Sequence, residues 1–214
     1  MSWNLFRLVG DLLHLSSILI LLLKITRTRS AAGISFKSQL LYAVVFIARY
    51  MDLFTHWVSL YNTVMKIFFI SSAVYILYLM QVEFKATWDP KLDTIRLEYL
   101  IAPCALLALI INFGFNFKEI LWAFSIYLEA VAILPQLFQL TRTGEAENIT
   151  VHYLFALGSY RALYILNWIY RYATEGRVDV ISVVSGIVQT ALYSDFLYIY
   201  VTRVLQGKRF KLPA

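Results

Sequence analysis

The segment from His152 to Tyr172 reads HYLFALGSYRALYILNWIYRY. It is about 20 residues long, which is the length that an α-helix needs to cross a bilayer. It nevertheless carries Arg161 and Arg171 and is rich in Tyr and Trp. Ionisable side chains in a membrane helix are costly and usually face the interior of a bundle or a watery cavity. The segment therefore predicts a membrane helix with a polar, functional face.

Helical spacing places the polar and aromatic residues of this segment on one face. They are Tyr160, Tyr164, Asn167, Trp168 and Arg171. An alternative is that the aromatic side chains form a belt at the membrane interface, with Arg171 snorkelling at the helix end. The other segments of the chain decide between these two interpretations.

Composition indicates a polytopic helical membrane protein. The chain has 214 residues, of which 60% are hydrophobic and 15% charged, and its mean hydropathy is +0.67. Soluble domains contain roughly 45–50% apolar residues. The first apolar run lacks a basic leader and a cleavage site, so it is predicted to stay as a membrane span. The single cysteine, Cys104, excludes an intramolecular disulfide.

The apolar segments predict an all-α membrane protein with seven transmembrane helices in a single domain, residues 1–214. Short connections leave no room for a folded domain outside the membrane. The predicted spans are Leu5–Lys24, Ser38–Phe54, Leu60–Val82, Tyr99–Phe113, Glu119–Leu140, His152–Tyr172 and Val180–Leu205.

Lys and Arg in the connections predict the orientation, because cytoplasmic loops carry the excess of basic residues. The odd-numbered loops and the C-terminal tail are basic, whereas the opposite loops contain mainly Lys118 and Arg177. The N-terminus is therefore expected in a lumen and the C-terminus in the cytoplasm. The excess of basic residues in cytoplasmic loops also accounts for the net charge of +6. The charge therefore does not indicate nucleic acid as a partner.

An internal repeat is predicted from the match of Lys24-Ile-Thr-Arg-Thr28 with Gln139-Leu-Thr-Arg-Thr143. Repeat 1 covers about 5–82, a linker helix about 99–113, repeat 2 about 119–205, and a tail 206–214. Two parallel three-helix units joined by one helix are an architecture of small transporters. The same register superimposes His14 on Glu129, and Pro135 is expected to distort the fifth span.

Polar residues cluster in the outer half of four predicted spans. His14, Glu129 and Tyr160 reach a similar depth near the middle of the membrane, at about 1.5 Å per residue. This agreement favours an outward-facing polar cavity over snorkelling. The clusters are Arg7, Asp11 and His14; Arg49, Asp52 and His56; Glu119, Trp122 and Glu129; and Trp168 with Arg171.

The charges of this cavity predict its ligand. Arg7, Arg49 and Arg171 can each hold a carboxylate through paired, charge-assisted hydrogen bonds. Asp52 and Glu119, with Trp122 one turn from Glu119, suit a cation. We therefore expect a ligand with several carboxylates at one end and a cation at the other. The alternative is that these groups are internal ion pairs that only stabilise the bundle.

The chain also contains a series of longer motifs. They are Gly33-Ile-Ser, Lys37-Ser-Gln, Arg49-Tyr-Met-Asp-Leu-Phe-Thr55, Phe84-Lys-Ala-Thr87, Glu119-Ile-Leu-Trp122, Phe124-Ser-Ile-Tyr-Leu-Glu129, Ala132-Ile-Leu-Pro-Gln-Leu-Phe138, Thr143-Gly-Glu-Ala-Glu147 and His152-Tyr-Leu-Phe155. Together they resemble the KDEL receptor family, and the likeness runs from Asn4 to Ala214. The resemblance implies a seven-helix receptor related in fold to PQ-loop and SWEET transporters. It implies capture of the C-terminal Lys/His-Asp-Glu-Leu signal of soluble endoplasmic reticulum (ER) residents in the acidic Golgi, and their release at neutral pH in the ER.

The resemblance also assigns roles to residues. The implied ligand-binding residues are Arg7, Arg49, Asp52, Glu119, Trp122, Tyr160, Tyr164, Trp168 and Arg171. His14, Glu129 and Tyr160 match the proton switch, and Lys208 with Arg209 match a sorting tail read by the COPI vesicle coat. The expected location is the membrane of the ER, Golgi and transport vesicles, in contact with lipid and without a cofactor. His56 and Lys211 depart from the usual family pattern, which leaves the preferred signal and phosphorylation of the tail open.

Two other functions compete with a receptor. A small-solute transporter of the SWEET or PQ-loop kind needs a pore that is polar from end to end. The residues on the cytoplasmic side of Glu129 and Tyr160 are apolar instead, which favours a closed cavity and a receptor. A metal hydrolase needs clustered ligands, but His14, His56 and His152 lie at three predicted depths. We therefore expect no metal site and no enzyme.

Overall fold

Helices form the secondary structure of the described part of the chain. In a computed structural model, residues 4–54, 57–144, 147–176 and 178–206 are described, and these ranges contain helices and no strand. The α-helices are α1 (Leu5–Thr28), α2 (Phe36–Arg49), α3 (Leu60–Tyr78), α4 (Glu98–Ile110), α5 (Phe117–Val131), α6 (Leu134–Thr143), α7 (Asn148–Glu175) and α8 (Val180–Ile199). Short 3-10 turns follow at Met51–Phe54 and Lys85–Thr87, and π-helical turns extend α3 and α8 over Leu79–Glu83 and Tyr200–Val204.

The described residues of every predicted span are largely helical, so the all-α prediction is confirmed. The fifth span is divided into α5 and α6, which are separated at Ala132 and Ile133. Pro135 explains the break, because it has no N–H to donate to the carbonyl of Val131 and its ring collides with that carbonyl. α5 ends at Val131.

Side-chain caps fix where several helices begin. Residues preceding five helices each accept a hydrogen bond from the backbone N–H three positions later, which satisfies one of the unpaired donors of a helix start. These caps are Asn4, Ser35, Ser59, Asn116 and Asp179. At the other end, α7 stops at Gly176, whose φ of 64° is the left-handed conformation that favours glycine.

Four described helical segments are long and apolar enough to cross a membrane. They are Leu5–Thr28, Leu60–Glu83, Phe117–Thr143 and Val180–Thr202. α4 is apolar but shorter, and α7 is longer, at 28 residues, but more polar. The protein is therefore a multi-pass membrane protein.

The helices pack as two compact units. The first combines the segment up to Gly33 with the segment from Leu140 onward, and in it α7 packs against α1 and α8. The second is Ile34–Gln139, in which α5 packs against α2 and α4, and α3 packs against α2. The predicted site residues accordingly fall into two sets, one in each unit.

Candidate ligand-binding site

Arg49 ends α2 and joins it to the C-terminal half of α5 in the second unit. Its Nη2 lies 2.5 Å from Oε2 of Glu129. Its Nε donates to Ser125 Oγ at 3.2 Å, and Nη2 donates to the Ser125 carbonyl at 3.1 Å. The guanidinium therefore spans one turn of α5. Because Glu129 is only 1% exposed, this arginine balances a carboxylate that water cannot solvate.

A cavity of about 530 Å³ opens beside this pair. Phe113 packs edge-on against Trp122, with 5.2 Å between the ring centroids, and fixes the orientation of the indole. Four predicted ligand-binding residues, Arg49, Asp52, Glu119 and Trp122, share this one cavity. Its lining consists of Ala48, Arg49, Met51, Asp52, Phe113, Phe117, Lys118, Glu119, Leu121 and Trp122.

The two rim carboxylates of this cavity have different surroundings. Asp52 accepts a hydrogen bond from Lys66 Nζ at 2.7 Å. Glu119 lies in the first turn of α5, where the positive end of the helix dipole favours a negative charge. Among the described residues, the Glu119 carboxylate forms no hydrogen bond or ion pair; its backbone N–H donates to Asn116. Glu119 is therefore the rim acid that is available to a ligand cation.

An aromatic ladder runs along α7 in the first unit. The ring centroids of Tyr160 and Tyr164 are 6.1 Å apart, and those of Tyr164 and Trp168 are 5.9 Å apart, both edge to face. Edge-to-face contacts at these distances are favourable aromatic geometry. The residues thus share one helix face, as their spacing predicts.

This face of α7 is turned toward α1. The Asn4 side-chain amide donates to Asn167 at 2.6 Å, and the Tyr164 hydroxyl donates to Asp11. Deeper in the helix pair, the ring of His14 stacks on Tyr160 with 4.2 Å between centroids. The polar face is therefore an interior face, which argues against an aromatic belt at the membrane interface.

Glycines permit the close approach of the aromatic rings. A Cβ at Gly186 would lie 2.5 Å from Trp168 Cζ3, and one at Gly10 would lie 3.0 Å from the Tyr164 ring. Beside them, Arg161 is 6% exposed and donates to the Tyr160 hydroxyl at 2.9 Å. α7 therefore holds a buried guanidinium between its aromatic ladder and α8.

The other two predicted arginines already have acidic neighbours. Arg171 Nη2 lies 2.8 Å from Glu175 Oε2 one turn further along α7, with the side chains 26% and 28% exposed. Arg7 Nε lies 3.9 Å from Asp11 Oδ2 in α1. These pairs agree with the alternative of internal ion pairs for the ligand-free protein, and a ligand carboxylate would compete with them.

Comparison with known proteins identifies the family. Residues 30–171 match the family described as "ER lumen protein retaining receptor". The chain is 62% identical over 211 residues to the "ER lumen protein-retaining receptor" of Drosophila melanogaster, covering 99% of this chain and 100% of the relative. The chain belongs to this family. The receptor of Caenorhabditis briggsae is 61% identical over 212 residues, and receptor 2 of Gallus gallus is 60% identical over 211, at the same coverage.

Membership in a receptor family agrees with the prediction that the chain is not an enzyme, and nothing in the comparisons favours a transporter. No group of three His, Cys, Asp or Glu side chains able to hold a metal occurs in the described ranges. His56, Lys208 and Arg209 lie outside the described residues.

Sequence reasoning missed Lys66 and the partner of Glu129. A lysine inside the apolar third span is a signal in itself, because charged residues in membrane helices are rare and usually paired. Lys66 is 7% exposed. The Arg49–Glu129 pair could not be predicted from the sequence, because spacing within each helix does not indicate which helices are neighbours.

Proposed function

We propose that the chain is a pH-dependent receptor that binds the C-terminal Lys/His-Asp-Glu-Leu signal of soluble ER residents in the Golgi lumen and returns them to the ER. The observation that carries this proposal is the similarity over 99% of the chain to the Drosophila ER lumen protein-retaining receptor. A retaining receptor must recognise a feature that different lumenal proteins share, and a C-terminal peptide is such a feature.

The charges of the candidate residues suit this signal. Its three carboxylates, on Asp, Glu and the free C-terminus, correspond to Arg7, Arg49 and Arg171, because guanidinium binds carboxylate in a paired fork. Its cation corresponds to the acids Asp52 and Glu119 beside Trp122, which line one cavity. Tyr160, Tyr164 and Trp168 would contact the apolar parts of the peptide. The proposal therefore gives each of the two sets of residues a part in recognising the peptide.

The same proposal includes seven spans arranged as two parallel repeats of the PQ-loop kind, with a lumenal N-terminus. Packing within the units supports the repeat. Under the register that places Lys24 over Gln139, the contact of α1 with α7 corresponds to the contact of α5 with α2. At residue level, Gly10 against Tyr164 corresponds to Ser125 against Arg49. Helices of equivalent position thus cross at equivalent residues.

The ion pairs of the ligand-free protein would favour a signal that carries several carboxylates over a ligand that carries one. Each arginine of the site has an acid beside it, so a ligand carboxylate must replace an existing partner. A single carboxylate gains little from such an exchange, whereas three carboxylates held by one backbone bind together with a high effective concentration. The basic tail with Lys208 and Arg209 would then be read by the COPI coat on the cytoplasmic side.

The direct test is a binding titration of the purified, full-length receptor. A Lys-Asp-Glu-Leu peptide with a free C-terminus and its C-terminally amidated form are compared at pH 5.5 and 7.4. Tight binding of the free peptide at pH 5.5, weaker binding at pH 7.4, and loss of affinity on amidation are expected. Equal affinity for both peptides at both pH values would exclude this function.

A further inference from the structure

The rim of the cavity in the second unit brings two carboxylates, those of Asp52 and Glu119, to one small space. Like charges at a partly buried site repel each other, because the local dielectric is well below that of water. Such a pair persists only when cations or protons compensate for it. The rim therefore needs positive charge even before a ligand arrives.

The predicted repeat allows the two rim carboxylates to be compared with the equivalent residues of the first unit. Asn4 corresponds to Glu119 and Asn167 to Asp52 under the register defined above. In the first unit these positions hold two neutral amides that hydrogen-bond to each other at 2.6 Å. Two ionised carboxylates cannot form that bond, because both only accept. At the equivalent positions of the second unit, two amides that bond to each other are thus replaced by two carboxylates that require a cation.

Lys66 of α3 supplies one positive charge to this rim. Its Nζ lies 2.7 Å from Asp52 Oδ2, and the Lys66 and Asp52 side chains are 8% and 38% exposed. The ammonium also lies 5.9 Å from the centroid of the Tyr50 ring. Lys66 is thus buried behind Asp52 and does not itself line the cavity. Lys118 does line it, but its side chain is exposed, where solvent screens its charge.

The geometry points to Lys66 as a positioning residue that sets how strongly the receptor prefers a cationic first residue in the signal. Lys66 contacts only one of the two acids, so it offsets part of the negative charge of the rim and a ligand cation can offset more of it. This inference rests on the proposed function, because it concerns the same site. Lys66 acts through Asp52, by holding its carboxylate and offsetting its charge.

The measured quantity is the ratio of the dissociation constant of N-acetylated Ala-Asp-Glu-Leu to that of N-acetylated Lys-Asp-Glu-Leu, at pH 5.5, on the full-length receptor, because acetylation removes the N-terminal charge of both peptides. Lys66→Met removes the offsetting charge, so the ratio should rise about threefold to tenfold. Asp52→Asn leaves Lys66 unopposed near the ligand cation, so the ratio should fall. The double variant Asp52→Asn with Lys66→Met removes both charges and should return the ratio to nearly the wild-type value.

The ratio separates the inference from a purely structural role, because a variant that only damages the fold weakens binding of both peptides and leaves their ratio unchanged. The double variant also avoids a buried unpaired charge, so it is expected to fold even if Lys66→Met does not. Lys66→Arg should keep the ratio unchanged. Lys118→Met, at the exposed lysine of the same cavity, should change it less than Lys66→Met does.

A ratio in the double variant as low as in Asp52→Asn would overturn the role of Lys66, and so would an equal response to Lys118→Met. The proposed function has its own, separate failure. A wild-type receptor that binds free and amidated Lys-Asp-Glu-Leu equally well refutes the function, whereas a receptor that distinguishes them and shows no rescue refutes only the inference about Lys66.

Discussion

Arg49 and Glu129 form an ion pair at 2.5 Å between the end of α2 and the last turn of α5. The sequence assigns the first to the ligand and the second to the proton switch, and the structure joins them. A peptide carboxylate that binds to Arg49 therefore weakens the compensation of a carboxylate that is 1% exposed. Ligand binding and protonation at this point of the site are thus expected to be coupled.

Arg49→Ala should destabilise the receptor strongly. Removing one partner of a buried pair leaves an uncompensated charge, at a cost of about 3–5 kcal/mol. Arg171→Ala is the matched control, because its pair with Glu175 is partly exposed and such pairs contribute about 0–1 kcal/mol. Thermal unfolding in detergent measures both variants. Adding Glu129→Gln to Arg49→Ala should recover much of the lost stability, and an equal loss in the two single variants would contradict the importance of this buried pair.

The helices could be predicted because each carries its own signal. Apolar runs fix the spans, and Asn, Ser and Asp caps fix their first residues. A distortion of the fifth span was predicted at Pro135, since the missing N–H is a property of that residue alone, but its division into two helices was not predicted. Helix pairing could not be predicted in this way, because the apolar faces of several spans are interchangeable in composition.

The candidate site was predictable in its residue types and less so in its contacts. The common face of Tyr160, Tyr164 and Trp168 follows from helical spacing, and the aromatic distances agree with it. The role of Lys66 did not follow, because its partner Asp52 lies in the turn after another helix. Only the three-dimensional structure brings such a pair together.

Gly186→Ala should impair ligand binding by moving Trp168. The added Cβ would lie 2.5 Å from Cζ3 of that indole, a distance at which the rigid ring must shift. Alanine also favours the helix by about 1 kcal/mol, so loss of fold is not the expected outcome. We expect a fall in affinity for Lys-Asp-Glu-Leu of about tenfold. Ile187→Ala, at a neighbouring residue that is 52% exposed, is the control, and unchanged binding in Gly186→Ala would remove Trp168 from the site.

The single cysteine makes the proposed orientation testable. A Cys104→Ala background allows one new cysteine at a time to be labelled by a membrane-impermeant maleimide in sealed ER vesicles, whose outer face is cytoplasmic. Lys91→Cys should react in intact vesicles, and Phe115→Cys should react only after detergent is added. Both native side chains are exposed, Phe115 by 83%. The reverse pattern would invert the topology and place the cavity on the cytoplasmic side.

Substitutions in the basic tail should affect sorting of the receptor but not peptide binding. Lys208→Ala combined with Arg209→Ala should leave peptide affinity unchanged, because the tail is proposed to lie on the opposite side of the membrane from the site. Return of the receptor from Golgi to ER should stop, which fluorescence microscopy of the tagged receptor measures. The matched control is Lys208→Arg, which keeps the charge. Normal return of the double variant would leave the tail with an anchoring role at anionic lipid alone.

His14 is expected to make peptide binding dependent on pH. Its ring stacks on Tyr160 in the α1–α7 pair, and the Tyr160 hydroxyl accepts a hydrogen bond from Arg161. Histidine is the side chain whose unperturbed pKa, about 6.5, lies between the pH of the acidic Golgi and that of the neutral ER. Protonation of His14 would add a positive charge to the α1–α7 pair, which favours a peptide that carries three carboxylates. A peptide that binds the protonated receptor better favours proton uptake, so its affinity must rise as pH falls.

The test is the affinity for Lys-Asp-Glu-Leu across pH 5–8. One coupled proton allows at most about a tenfold change in affinity per pH unit, and His14→Ala should flatten this slope while keeping the receptor folded. His152→Ala is the matched control, because its Nδ1 lies 2.8 Å from the Tyr200 hydroxyl, toward the proposed cytoplasmic end of α7. It should keep the wild-type slope. A full slope in folded His14→Ala would move the switch to another group, and His56 is the next histidine to test.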